Sequence, residues 1–234
     1  MTAFVLGATG FVGREVVRQL AVRGTAVIAH VRPDSSSLDK WSATFKEQGA
    51  GVDTTPWDAA ALAARFRETL ATLPAPDQIY ILIGTTRSAA KRDKVDGNIY
   101  EKIDLGLTQL AVDAARASET KPRIIYLSSV GAAKDARSAY LAARGRAEDV
   151  VMTSGLPWAI ARPSFITGDR DDSRIGERSA AIVGDGLLAV ARVFGGKKVR
   201  EKYRSTTPDV LASALIRLGE TPDHDRIAEG SDLR

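Results

Sequence analysis

The chain has 234 residues, 44% hydrophobic and 26% charged, the balance of one ordinary globular domain with a sizeable core and not of a disordered or collagen-like chain. It has no cysteine and two histidines, which excludes disulfides, thiolate nucleophiles, iron–sulfur clusters and cysteine-built or multi-histidine metal sites, so no metal is expected. The formal net charge is +4 with the signs interspersed, and even the densest basic stretch, residues 197–204, holds an acid and reads as a solvated face, so nucleic acid is not an expected partner.

No charge-free apolar run is long enough to span a bilayer, and residues 1–13 lack the basic start of a signal peptide. The expectation is therefore a cytoplasmic protein without membrane contact. Short runs of β-forming residues alternate with helical periods, which predicts an α/β fold: a doubly wound parallel sheet forming a single domain over residues 1–234.

The first predicted strand is Ala3–Leu6, followed by Gly7-Ala8-Thr9-Gly10-Phe11-Val12-Gly13 and a helix with Val12, Val16 and Leu20 on one face. A glycine turn between strand and helix permits close backbone approach, and the helix start offers N–H groups and a positive dipole end to a pyrophosphate. Gly7, Ala8, Thr9, Gly10, Phe11 and Val12 are accordingly expected to hold a dinucleotide. The second strand, Ala26–Val31, ends in His30-Val31-Arg32-Pro33. An NAD site usually places an acid at that point; Arg32 instead suits a 2′-phosphate, so the expected cofactor is NADP.

A third strand is predicted over Gly51–Thr55, then a helix carrying Leu62, Phe66 and Leu70 on one face. Asp58 between them either accepts from the adenine amino group or N-caps the Ala59–Leu70 helix. The fourth strand is Gln78–Ile83, and the next apolar row is Ile99, Ile103, Leu107, Leu110 and Ala114. The fifth strand, Arg123–Leu127, closes on Ser128 and Ser129 at the edge where open α/β sheets bind ligands. A helix over residues 138–153 places Tyr140 and Arg144 on one face. After a sixth strand, Trp158–Ala161, residues 168–206 break the rhythm and read as an irregular lobe over the sheet's carboxyl edge. Within it, the apolar, glycine-bounded residues 186–196 are expected to pack in the core, wall a hydrophobic substrate pocket or contact a partner. The last predicted helix is Pro208–Leu218.

With cysteine absent and histidine scarce, a tyrosine beside a fixed cation is a reasonable proton donor, because positive charge favours a phenolate. An isolated Tyr-x-x-x-Arg is more often a half-buried tyrosine beside a surface arginine. The serine pair eleven residues upstream and the nucleotide turn favour a functional pair.

In this order, GATGFVG, Gly84-Thr85-Thr86-Arg87, LSSVGA, the Tyr140 helix and the Ala161–Arg170 stretch followed by Ser173-Arg174 resemble the atypical short-chain dehydrogenase/reductases. The chain is most similar to the Tat-interacting-protein-like oxidoreductase branch, over residues 1 to about 218. The resemblance implies an NADP-binding Rossmann domain with a small C-terminal substrate lobe, and a serine, a tyrosine and a lysine around the nicotinamide. By motif, Ser129 orients the substrate carbonyl, with Ser128 as the second candidate, and Tyr140 donates the proton. Gly84, Thr85 and Arg144 fall near the cofactor. Pro163 either passes its backbone near the nicotinamide or marks a plain chain turn. Two positions depart from the pattern: Arg144 stands where the family has lysine, and Asp104 where many relatives have asparagine. The implied activity is NADPH-dependent hydride transfer to a small carbonyl or quinone-like substrate. The alternative is a non-catalytic NADPH-binding regulator or redox sensor that engages a protein partner.

Overall fold

The computed structural model describes residues 1–68, 75–84, 98–167, 205–223 and 225–234. Its centre is a seven-stranded sheet in the order β3-β2-β1-β4-β5-β6-β7, every pair parallel. The strands are β1 (Thr2–Leu6), β2 (Ala26–His30), β3 (Gly51–Asp53), β4 (Gln78–Ile81), β5 (Arg123–Leu127), β6 (Trp158–Arg162) and β7 (Arg226–Glu229). The helices are α1 (Phe11–Val22), α2 (Leu38–Glu47), α3 (Ala59–Arg67), α4 (Gly106–Ala117), α5 (Ala139–Met152) and α6 (Pro208–Glu220). The chain is thus an α/β doubly wound protein, as the alternation of patterns predicts.

Both faces of the sheet are buried, which is why its strands read as nearly continuous apolar runs. Side chains alternate across it: Ala3 and Val5 join α1, α2 and α6 in one core, through Val16, Leu20, Phe45 and Leu215. Phe4 and Leu6 join α3, α4 and α5 in the other, through Leu62, Phe66, Ala111 and Val151.

All six expected strands are present, with ends shifted by at most two residues. Two elements are additional. The strand β7 is four residues long, is half charged, and pairs with β6. The helix α2 buries Phe45 alone. The apolar row beginning at Ile99 also differs: it starts as a π-helical turn, Tyr100–Leu105, before α4 proper. Of the expected lobe at 168–206, only residues 205 and 206 are described, where Thr206 bridges to Ile166. Residues 186–196, the basic stretch at 197–204, Thr85 and the Gly168–Arg174 part of the resemblance lie outside the described residues. Among the described residues no helix is long and apolar enough to cross a membrane.

Candidate functional site

The strand order reverses between β1 and β4, so a crevice opens there at the carboxyl ends. The Gly7 turn forms one wall. Gly7 has φ +84°, and a Cβ there would stand 2.7 Å from the Leu82 carbonyl oxygen, so the turn lies directly on the end of β4. A Cβ on Gly13 would be 2.2 Å from the Gly7 oxygen, which packs the helix start onto the turn. Gly10 is different. It is exposed, it caps α1 with extended backbone, and a Cβ there would meet only the Gly7 oxygen, at 3.1 Å. The first turn of α1 carries no acid and no side chain caps it. An open, glycine-lined helix start of this kind fits a pyrophosphate. Ala8 and Val12 are buried beneath the turn, while Thr9 and Phe11 are half-buried at its rim.

On the adjacent strand, the β1–β2 register sets Ala29 opposite Val5, so Arg32 emerges just beyond the level of the glycine turn. Its side chain is 46% exposed and lies 3.8 Å from Asp34, a loose contact. His30, one step earlier, is buried, bonded at Nε2 to the Thr55 carbonyl (2.7 Å), and edge-on to Trp57. Burial holds its pKa below the ordinary value of 6.5, so it is neutral at pH 7. Asp58 accepts from the Ala61 N–H at 2.8 Å and N-caps α3, which is one of its two expected roles.

The other wall is built around α5. Tyr140, Arg144 and Glu148 recur at four-residue spacing and share one face of the helix. Arg144 is buried, not a surface arginine. It pairs with Asp104 Oδ1 at 2.9 Å and donates to the Leu127 carbonyl at 2.7 Å and the Tyr126 hydroxyl at 3.1 Å. Its guanidinium lies over two rings, 5.4 Å from the centre of Tyr140 and 5.7 Å from that of Tyr126. Burial opposes the charge, but the surrounding Tyr126, Tyr140 and Asp104 outweigh it and keep the guanidinium protonated. Gly84, exposed at the end of β4, leaves no room for a side chain on this flank: its Cβ would fall 2.5 Å from Arg144 Nη2.

The serines divide. Ser128 is buried and donates to Glu148 Oε1 at 2.5 Å. Ser129 is half-buried and its hydroxyl, among the described residues, makes only a long 3.4 Å contact to the Val130 carbonyl. Glu148 in turn receives Arg162 in a fork, at 2.8 and 2.5 Å, and Arg162 reaches Glu229 at 3.1 Å. This Ser128–Glu148–Arg162–Glu229 network has no counterpart in the sequence reading. The one available signal was Glu148, four residues after Arg144 on the same face. Pro163 is buried, and its carbonyl accepts from the Val130 N–H at 2.9 Å, continuing the β5–β6 pairing past the strand ends.

Comparison with known proteins agrees with this architecture. Protein FMP52, mitochondrial, from Candida albicans is 26% identical over 192 residues, covering 79% of this chain and 76% of that protein. Three further relatives are likewise named mitochondrial, two as FMP52 and one as FMP52-1, which overturns the expectation of a cytoplasmic protein. That expectation rested on missing leader and membrane signals, and such absences do not locate a chain. Among solved structures, a putative NAD-dependent epimerase/dehydratase from Bacillus halodurans superposes with TM-score 0.63 at 20% identity, covering 97% of this chain and 92% of that one. The triphenylmethane reductase of Citrobacter sp. complexed with NADP(H) gives 0.63 at 18%, covering 99% and 70%. The family described as NAD(P)H-binding matches residues 7–186, from the first glycine of the turn through the helix of Tyr140 and Arg144, and the chain belongs to that family.

Proposed function

We propose that this protein is an NADPH-dependent oxidoreductase that reduces a small carbonyl or quinone-like substrate, within the Tat-interacting-protein-like branch of the atypical short-chain dehydrogenase/reductases. The observation that carries the reading is the grouping at the crevice edge of Gly84, a buried Arg144 and the ring of Tyr140. NADPH, when bound, supplies the hydride. Gly7, Ala8, Thr9, Gly10, Phe11 and Val12 form its pyrophosphate cradle, Arg32 meets the 2′-phosphate, and Asp58, while capping α3, borders the adenine. Ser129, not committed to Glu148 as Ser128 is, orients the substrate oxygen. Tyr140 gives that oxygen its proton as the carbonyl carbon gains the hydride. Arg144 is the permanent charge beneath Tyr140. Gly84 and Pro163 complete the wall near the nicotinamide.

The binding half is tested by titrating NADPH and NADH against the parent and Arg32→Ala. NADPH is expected to bind at least about tenfold tighter, roughly 1.4 kcal/mol, and the variant to lose that ratio. Equal parental affinities refute the NADP assignment. The chemical half is tested by NADPH oxidation across a carbonyl and quinone panel. Turnover should disappear in Tyr140→Phe with cofactor affinity retained. A second reading, a non-catalytic NADPH-binding regulator, is favoured by one observation: both terminal nitrogens of Arg144 are directed to Asp104, Tyr126 and Leu127 inside the protein. NADPH binding without turnover on any substrate would decide for it.

A further inference from the structure

The two positions that depart from the family pattern, Asp104 and Arg144, are in contact. Asp104 is completely buried, and it lies in the π-helical turn Tyr100–Leu105, an irregularity frequent at functional sites. The turn delivers three residues to α5 at once. Tyr100 meets Tyr140 edge to face with ring centres 5.4 Å apart, Glu101 pairs with Arg146, and Asp104 pairs with Arg144 at 2.9 Å. Below Asp104, the Thr108 hydroxyl donates to its backbone carbonyl at 2.7 Å, tying the turn to α4.

We propose that Asp104 is the positioning residue of this site: it fixes Arg144 between the Tyr126 and Tyr140 rings, and Asp104 and Arg144 work as one matched pair. The inference rests on the reductase reading for its consequence in turnover, and on geometry alone for its consequence in structure. A guanidinium holds Asp104, Tyr126 and Leu127 together because its donors form a rigid fork; an ammonium on a shorter reach cannot hold all three. Lysine at 144 therefore fits only when the carboxylate at 104 is also gone, since a buried carboxylate without its fork is left under-compensated. Conversely, an amide at 104 facing the guanidinium loses the charge that fixes the fork in place.

The test compares the parent with Asp104→Asn, Arg144→Lys and the double Asp104→Asn/Arg144→Lys. Near-ultraviolet circular dichroism of the cofactor-free protein reports the tyrosine surroundings. Both single variants are expected to change the tyrosine band and the double to restore it; adding Tyr140→Phe to each should remove the part of the change that Tyr140 carries and leave the part carried by Tyr126. In turnover, each single variant should lose about tenfold or more in kcat with KM for NADPH within about threefold, and the double should recover to within about threefold of the parent. Thermal unfolding run alongside separates positioning from stability. Variants that melt earlier yet keep the parental tyrosine band overturn the proposal, and so does a double variant no better than the worse single. If the parent turns over no substrate, the reductase reading fails while the tyrosine band still decides the role of Asp104.

Discussion

The contact between Gly84 and Arg144 is the most exposed point of this reasoning, because one methyl group tests it. In Gly84→Ala the new Cβ would stand 2.5 Å from Arg144 Nη2, against 3.4 Å for the start of an ordinary contact, so the guanidinium must retreat by nearly an ångström. It has no slack: Arg144 is 5% exposed, and the retreat stretches either the 2.9 Å bridge to Asp104 or the 2.7 Å bond to the Leu127 carbonyl. A hydrogen bond to a charged group contributes about 1.5–3 kcal/mol, whereas alanine for glycine recovers about 0.4–1 kcal/mol through the unfolded chain. The net cost is about 1–2 kcal/mol, and a chain of this size should melt about 2–8 °C lower. Thermal unfolding followed by circular dichroism gives the shift, and a cycle against Asp104→Asn/Arg144→Met assigns it. In that background the guanidinium is gone and Gly84→Ala should be neutral or slightly stabilising. A parental melting temperature in Gly84→Ala, or an equal loss in both backgrounds, refutes the contact and with it the wall on which the site is built.

Gly10→Val should fold, because Gly10 has φ −73° and ψ 167° and its Cβ meets only the Gly7 oxygen, yet it should lose NADPH binding; parental affinity would place the phosphate site elsewhere. Glu148→Gln removes the charge that holds Arg162 and should destabilise by about 3 kcal/mol, lowering the melting temperature by about 6–12 °C; an unchanged melt would show the network to be inert. Because burial depresses the folded-state pKa of His30, with Arg32 adding to and Asp53 opposing the effect, the unfolded chain takes up the proton first as pH falls below 6.5. Stability should decline from that point until the folded value is passed, and His30→Phe should flatten the profile between pH 7 and 5; equal slopes in parent and variant would contradict the assignment.

The sheet was legible because most of its six expected strands carry a strong apolar run, the short β3 (Gly51–Asp53) being the exception, and because a glycine turn stands between the first strand and its helix. What escaped was held by partners far away in sequence. The strand β7, Arg-Ile-Ala-Glu, has no pattern of its own and exists through its register with Ala159–Arg162. The π-helical turn looks like the start of an ordinary amphipathic helix until Asp104 and Tyr100 are seen against α5. Ser128 and Ser129 are indistinguishable by type, and only the position of Glu148, twenty residues on, separates the buried donor from the one left at the crevice. The shared face of Tyr140 and Arg144 could be read from spacing, but the burial of Arg144 could not, since nothing local marks an aspartate forty residues earlier as its partner.

The parts of the site form a continuous mechanical chain, and this bears on how the two functional readings relate. The Gly7 turn rests on Leu82; two residues later Gly84 rests on Arg144; Arg144 rests on Asp104 and the ring of Tyr140. A load placed on the glycine turn therefore meets, through the last residues of β4, the same arginine that fixes the tyrosine. Interiors packed this closely do not absorb a displacement locally. A reductase needs that rigidity to hold a proton donor still, and a sensor needs it to report an occupied cradle at the far wall. The contacts serve both, so discrimination falls on what meets Tyr140 and Ser129 at the open side of the crevice. If Tyr140→Phe abolishes NADPH oxidation while leaving NADPH affinity at the parental value, the tyrosine acts on a substrate. If the substitution changes neither, the wall of α5 is a receiver of the cofactor's presence and not a source of chemistry.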